Sequence, residues 1–172
     1  EFWFTMVALH KIGAVAIPAT HMLKLHDIDF RIKNANVKLI VTVEEDRLIP
    51  DYEEAQKELG TDLVKCVIER DLDGWINFNK AIEEESDEFE RPTGDDEVLA
   101  DDISLIYFTS GTSGLPKMVA HKQTYGLGHI PTAKYWHKVE EDGIHHTAAD
   151  TGWGKAVWGT FYGQWIAGSA VF

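Results

Sequence analysis

Polar and apolar positions run through this chain in two rhythms, one near 3.6 residues and one of short apolar runs. Phe2, Met6, Leu9 and Gly13 fall at spacings of four, three and four, which predicts an amphipathic helix at the start. The short apolar run Ala14 to Pro18 follows, and after a polar connection Asp27 to Asn36 carries Ile28, Ile32 and Ala35 at helical spacing. Val37 to Val43 is apolar and β-branched, Asp46 to Leu59 is helical in composition with Gly60 as its stop, and Leu63 to Ile68 reads as a further strand. The order β, α, β, α, β favours a parallel sheet covered by helices, because parallel neighbours need crossover connections.

From Ile82 to Asp102 the pattern turns polar and acidic, with Pro92, Gly94 and the clusters Glu83-Glu84-Glu85 and Asp95-Asp96-Glu97. Charge runs of this kind are usually solvated, so the stretch reads as a connection and not as a metal site. It divides the chain into two expected sub-structures, 1–98 and 99–172, both parts of one incomplete domain. Ile103 to Phe108 resumes as a strand, His145 to Ala149 reads as another, and Gly152 to Ala167 reads as a helix stopped at Gly168. Tyr125 to Pro131 holds Gly126, Gly128 and Pro131, which predicts a weak or broken helix. The fold class expected is α/β, with parallel sheets flanked by helices. The chain opens without Met inside a helix and closes on the strand-like Ser169 to Phe172, so both edges look cut from a longer protein.

Composition narrows the function classes. The chain has 172 residues, 44% of them hydrophobic, enough for a domain-sized core and against disorder. Lys plus Arg number 16 against 29 Asp plus Glu, a net charge of −13, which argues against nucleic-acid and anionic-membrane binding. The acidity is local: Glu44 to Asp102 holds 22 acids and 6 bases, leaving 7 acids and 10 bases elsewhere. An anion site is therefore expected outside the middle. The lone Cys66 lies in an apolar run and reads as a buried thiol. No apolar stretch approaches the ~20 residues that cross a bilayer, and Glu1 to Lys11 lacks a basic opening, so the expected compartment is the cytoplasm. The eight histidines suggest no metal: His145 and His146 point to opposite faces of a strand, and His129 and His137 stand eight apart without a partner at ligand spacing. Trp158, Phe161 and Trp165 share a helical stripe and read as core. The oligomeric state stays open.

The stretch with chemistry in it is Tyr107 to Lys117, Tyr-Phe-Thr-Ser-Gly-Thr-Ser-Gly-Leu-Pro-Lys. It follows a strand directly and ends in a lysine after a proline. Glycines let successive N–H groups turn toward one point, hydroxyls add donors for phosphate oxygens, and Lys117 adds a point charge. The set suits a polyphosphate. It is not a Walker loop, because Pro116 precedes Lys117 and Met118 follows. A flexible Gly/Ser linker would share the composition, but the adjoining strand and the stiffening Pro116 weigh against one.

These residues resemble the signature of the adenylate-forming superfamily, which holds acyl-CoA synthetases, luciferases and peptide-synthetase adenylation domains. Ala149-Asp150-Thr151-Gly152-Trp153, with the aromatic-rich helix after it, resembles the Asp-x-Gly-Trp segment of acetyl-CoA and medium-chain acyl-CoA synthetases. Lys11 to Ala14 with Pro18, Asp27, Ile28 and Arg31 is similar to their early helix-strand-helix. The resemblance implies part of the amino-terminal domain of a two-step ligase, in which a carboxylate is adenylated by ATP with Mg²⁺ and the acyl group then passes to coenzyme A. It further implies that Thr109, Ser110, Gly111, Thr112, Ser113, Gly114, Leu115, Pro116 and Lys117 contact the β- and γ-phosphates, with Lys117 and Thr112 as catalytic groups. Asp150, Thr151 and Trp153 would lie by the carboxylate and acyl pocket, with Trp153 as an apolar wall. The family's later acidic motif, its ribose-binding aspartate, and the carboxy-terminal domain with its adenylation lysine have no counterpart in these residues, so the chain alone is not expected to turn over. Two other readings are an adenylating enzyme for an aryl acid or a carrier-protein acceptor, and a non-catalytic nucleotide-binding module.

Overall fold

The computed structural model describes residues 1–45, 47–110 and 114–172. It divides into two compact units, one formed by Glu1–Thr20 with Glu90–Phe172 and the other by His21–Phe89. The sequence placed a boundary between residues 98 and 99. The first twenty residues go with the later segment because Ala16 pairs with Leu105, nearly ninety positions on, and a pairing of that range leaves no local pattern.

From its first helix to its second strand the unit His21–Phe89 is built as its pattern predicts, and a third strand and a last helix, too short to leave a rhythm, are additions to it. Helix α2 (Leu25–Ala35) buries Ile28 and Ile32 one turn apart and ends on Asn36 in the left-handed region. Strand β1 (Leu39–Thr42) follows, then helix α3 (Leu48–Leu59), which stops at Gly60. Strands β2 (Val64–Val67) and β3 (Ile76–Asn77) complete a parallel sheet in the order β1-β2-β3, and helix α4 (Phe78–Glu84) leaves its end. The core gathers Ile28, Ile32, Ile40, Leu48, Ala55, Leu63, Val67 and Trp75. Cys66, on β2, is buried, and burial pushes its thiol up, away from the reactive thiolate. At the rim, Glu53 accepts from Lys65 and from the Trp75 indole, each at 2.6 Å, and the Lys65 ammonium holds its carboxyl below the usual range.

In the other unit, helix α1 (Phe2–Ile12) buries Met6 and ends at Gly13. Ala16 accepts from Ile106 and donates to Ser104, each at 2.9 Å, which makes a single parallel bridge to strand β4 (Ile103–Thr109). The apolar run Ala14 to Pro18 thus joins β4 and not the sheet that follows it in sequence. Strand β5 (Lys117–Lys122) pairs with β4 antiparallel, Thr109 opposite Lys117. This hairpin departs from the expected parallel arrangement because residues 110–116 are too few for a crossover. The pattern hid β5, which is a mostly exposed strand flanked by lysines, as edge strands often are. Short strands β6 (Ile144–His145) and β7 (Ala170–Val171) pair in parallel. Between them lie helix α5 (Gly154–Ala156), a wider π-type turn (Val157–Phe161) and helix α6 (Tyr162–Ile166). Met6, Ala16, Leu105, Tyr107, Val157 and Phe161 form the core.

The π-type turn also changes the expected aromatic stripe. Phe161 is buried against Trp3, with ring centroids 5.6 Å apart, but Trp165 is 39% exposed and Trp158 stacks on histidines outside this core. Widening the turn shifts the helical register, so residues three and seven apart no longer share one face. The weak helix expected at Tyr125 to Pro131 is a tight 3-10 stretch, Gln123–His129. Among the described residues no helix is long and apolar enough to cross a membrane.

Candidate functional site

The candidate phosphate loop is the tip of the β4–β5 hairpin. Leu105 and Tyr107 of β4 point into the core and anchor the strand, while Thr109 emerges at its end. Thr109 Oγ1 donates to the Lys117 carbonyl at 3.5 Å, and the ladder pairs the same two residues, so Lys117 leaves the base of the loop directly opposite Thr109. Gly114 has φ +87 with open space where a Cβ would stand. It is glycine for its backbone angle, since L side chains avoid that region. Leu115 is 64% exposed. Ser110 and Pro116 lie in the same connection. Gly111, Thr112 and Ser113 lie outside the described residues, so the structure does not address the roles expected for them.

Asp150, Thr151, Gly152 and Trp153 make a tight turn that leads into α5. The Asp150 carbonyl accepts the Trp153 N–H at 3.0 Å, and Asp150 Oδ1 accepts the Gly152 N–H at 2.8 Å. Asp150 Oδ2 accepts the Thr20 hydroxyl at 3.2 Å, from a residue 130 positions earlier. Both carboxylate oxygens are thereby engaged within the protein. Trp153 is 65% exposed, and its backbone is held on both sides, since its carbonyl also accepts the Ala156 N–H at 3.0 Å. A Cβ on Gly154 would stand 3.6 Å from the Tyr107 ring, so the turn rests beside the strand that carries Thr109. Tertiary structure thus brings the two predicted stretches to one strand. Thr20 carried no signal of its own in the sequence, because nothing local pairs residues 130 apart.

A cluster of aromatic rings and imidazoles adjoins this strand. His10 Nε2 and the Tyr162 hydroxyl share a hydrogen bond of 2.6 Å, and Tyr125 packs edge-on to Tyr162 and against His121 and His129. The Tyr107 hydroxyl is buried without a partner among the described residues, and burial pushes its ionisation far up. Trp158 stacks on both His129 and His137, at 5.9 Å in each case, and the fully buried Gln164 amide donates to His137 Nδ1 at 2.8 Å. Burial lowers the affinity of His129 and His137 for a proton, and neighbouring imidazoles lower it further. An open groove of about 390 Å³ is lined by His129, Thr132, Trp136 and Trp158. Among the described residues no three His, Cys, Asp or Glu side chains are placed to hold a metal ion.

The sequence of the whole chain, residues 1–172, matches the AMP-binding enzyme family. The chain belongs to that family. Two curated relatives of this AMP-binding chain are "Acyl-coenzyme A synthetase ACSM5, mitochondrial" from Homo sapiens, 35% identical over 174 residues, and "Acyl-coenzyme A synthetase ACSM4, mitochondrial" from Mus musculus, 34% identical over 175. Each alignment takes in 100% of this chain and 29% of the relative, so the chain spans less than a third of their length. Among solved structures, the anthranilate CoA ligase AuaEII in complex with anthranoyl-AMP superposes with a TM-score of 0.81 at 20% identity, over 98% of this chain and 32% of that one. At that identity the likeness establishes the fold alone, the α/β arrangement expected from the resemblance.

The relatives overturn one expectation. Cytoplasmic residence was read from Glu1 to Lys11 and the lack of a membrane-crossing apolar run, whereas the curated relatives are named as mitochondrial enzymes. A targeting segment is read from a protein's own first residues, and a chain that spans 29% of its relatives does not license taking Glu1 for one.

Proposed function

We propose that the protein to which this chain belongs is an AMP-forming acyl-CoA synthetase acting on a short or medium-chain carboxylate. The observation that carries the reading is the family match along the whole chain, together with a hairpin that sets Thr109 and Lys117 face to face at the base of a Gly/Ser/Thr loop. In the first step a carboxylate oxygen attacks the α-phosphorus of ATP, a new P–O bond forms, and the bond to pyrophosphate breaks. In the second the thiol sulfur of coenzyme A attacks the acyl carbon, and AMP leaves with the electron pair of the broken C–O bond while the thiol proton is released.

Such a reaction asks the protein to hold the charge that gathers on the departing pyrophosphate. Lys117, the hydroxyls of Thr109, Ser110, Thr112 and Ser113, and the N–H groups of Thr109 to Leu115, Gly111 among them, are the groups assigned to that task, with Lys117 and Thr112 nearest the chemistry. The net positive charge outside the acidic middle suits it. Trp153, exposed and fixed at its backbone, is assigned to the wall of the acyl pocket, with Asp150 and Thr151 shaping the turn beneath it. Mg²⁺ would arrive on the ATP phosphates, as it commonly does. No step is assigned to it. The carboxy-terminal domain of the same protein would supply the lysine that promotes adenylation.

Carboxylate-dependent exchange of pyrophosphate into ATP by the full-length protein, run over acetate, propionate, butyrate, octanoate and benzoate, tests the first step alone. Exchange with an aliphatic acid is the expected result. Exchange only with benzoate would move the reading to an aryl-acid ligase. ATP binding without exchange with any acid would refute it in favour of a nucleotide-binding module.

A further inference from the structure

Thr20 lies at the end of the first segment of its unit, far in sequence from every residue the function absorbed. Two independent features join it to the Asp150–Trp153 turn. Its hydroxyl donates to Asp150 Oδ2 at 3.2 Å. Its backbone also lies directly under Gly152: a Cβ built there would stand 2.1 Å from the Thr20 nitrogen, 2.5 Å from the Ala19 carbonyl carbon and 2.7 Å from Thr20 Cα. Gly152 is not in the left-handed region, so its need for glycine comes from this close approach and not from its own angles. The turn is seated on the 19–20 backbone, and the hydroxyl–carboxylate bond ties the seat.

We infer that Thr20 is a positioning residue for the acyl pocket, holding the Asp150–Trp153 turn so that the exposed Trp153 stands where an acyl chain meets it. The inference rests on the carboxylate-activating reading proposed above. Asp150 accepts the Gly152 N–H on Oδ1, the Thr20 hydroxyl on Oδ2 and the Trp153 N–H on its carbonyl. The two within the turn are local, spanning two and three residues. The Thr20 bond reaches outside the turn, and together with the packing of Gly152 on the 19–20 backbone it ties the turn to a segment in which Ala16 is paired to β4 four residues earlier. Losing it loosens the seat of Trp153, whereas the pairing of Thr109 with Lys117 is made within the hairpin itself. Binding of the acid should therefore suffer while binding of ATP does not.

The test uses the full-length protein with Thr20→Val, which keeps the shape and removes the hydroxyl, and Thr20→Ser, which keeps the hydroxyl. Two readouts are taken: the KM values for carboxylate and for ATP in pyrophosphate exchange, and amide hydrogen exchange of the peptide covering residues 148–155. Thr20→Val should raise the carboxylate KM about tenfold, leave the ATP KM within about twofold, and speed amide exchange at Gly152 and Trp153 about tenfold, as expected for loss of one bond to a charged acceptor. Thr20→Ser should restore all three to within about twofold of the parent. The inference is overturned if Thr20→Val leaves the carboxylate KM unchanged, if it moves both KM values together, or if Thr20→Ser behaves as Thr20→Val does. Where Val at this position prevents folding, Thr20→Ala, which adds no atoms, is read in the same way. Should the parent protein itself show no exchange with any acid, the proposed reaction fails. The amide readout then decides Thr20 alone, and unchanged protection in Thr20→Val refutes the tie.

Discussion

Gly152 and Gly154 stand two residues apart in the same turn, yet alanine should have opposite effects at the two positions. At Gly152 the new methyl would meet three backbone atoms of Ala19 and Thr20 at 2.1, 2.5 and 2.7 Å. Ordinary carbon contacts lie near 3.5–4.0 Å, so the two backbones must part by more than about 1 Å. Overpacking of a well-packed site costs about 1–3 kcal/mol, and separating the segments also breaks the Thr20–Asp150 bond, worth about 1 kcal/mol more, so Gly152→Ala should cost about 2–4 kcal/mol. At Gly154 the methyl would meet only the Tyr107 ring, at 3.6–3.7 Å, which is ordinary contact. Gly154 opens α5, and alanine there should stabilise by about 0.4–1 kcal/mol through the smaller entropy lost on folding. Urea unfolding of the two full-length variants against the parent, followed by tryptophan fluorescence, measures both effects. A Gly152→Ala midpoint equal to the parent's, or a Gly154→Ala loss as large as that of Gly152→Ala, would refute the reasoning from contact distance.

Three more expectations follow from the site. Lys117→Ala should slow adenylation by about a hundredfold, in line with loss of one charge-stabilising group, while transfer from a supplied acyl-adenylate stays within about threefold; single-turnover assays of each half-reaction check this, and equal loss in both counts against a pyrophosphate role. Trp153→Ala should shift the ranking of acids by chain length by about tenfold with ATP affinity unchanged, and an unaltered ranking across acetate to octanoate removes Trp153 from the pocket. His10, His121, His129 and His137 all bind protons more weakly in the fold than the free value of 6.5, chiefly through burial. Each holds fewer protons folded than unfolded, so stability is full above pH 6.5 and declines as pH falls through 6.5 toward the lowered values. Denaturation midpoints at pH 7.5 and 5.5 read this directly: the expected result is a lower midpoint at 5.5, with a smaller difference in His129→Phe, and a flat profile in the parent would contradict it.

Much of the fold was legible in local pattern. The 3.6-residue spacing placed α1, α2 and α3 within a few residues of their observed bounds, and Gly60 marked the end of α3 as expected. The strand cores Val37 to Val43 and Leu63 to Ile68 contain β1 and β2, and these pair in parallel as the alternation with helices required. Such features are readable because a helix or a strand buries one face through residues close in sequence. The loop that carries the family signature was readable for a related reason: chemistry suited to phosphate is concentrated in consecutive residues. By contrast β5 went unseen, because an exposed edge strand buries little and so leaves no apolar rhythm. Trp158 was misplaced because a single wider turn at Val157–Phe161 breaks the spacing on which the stripe rested, while Trp165, though 39% exposed, still packs edge-on to Phe161 with ring centroids 4.7 Å apart.

The sequence by itself therefore determined the α/β class, the elements α2, β1, α3 and β2 of the His21–Phe89 unit and the position of the family signature, all of which depend on neighbours along the chain. Only the tertiary structure decided that Ala16 pairs with β4, that Thr109 and Lys117 face each other across an antiparallel hairpin, and that Asp150 takes the Thr20 hydroxyl on its second carboxylate oxygen. The physical reason is that these are contacts between residues up to 130 positions apart. Their free energy comes from which surfaces happen to meet in the fold, and no periodicity along the chain encodes that meeting.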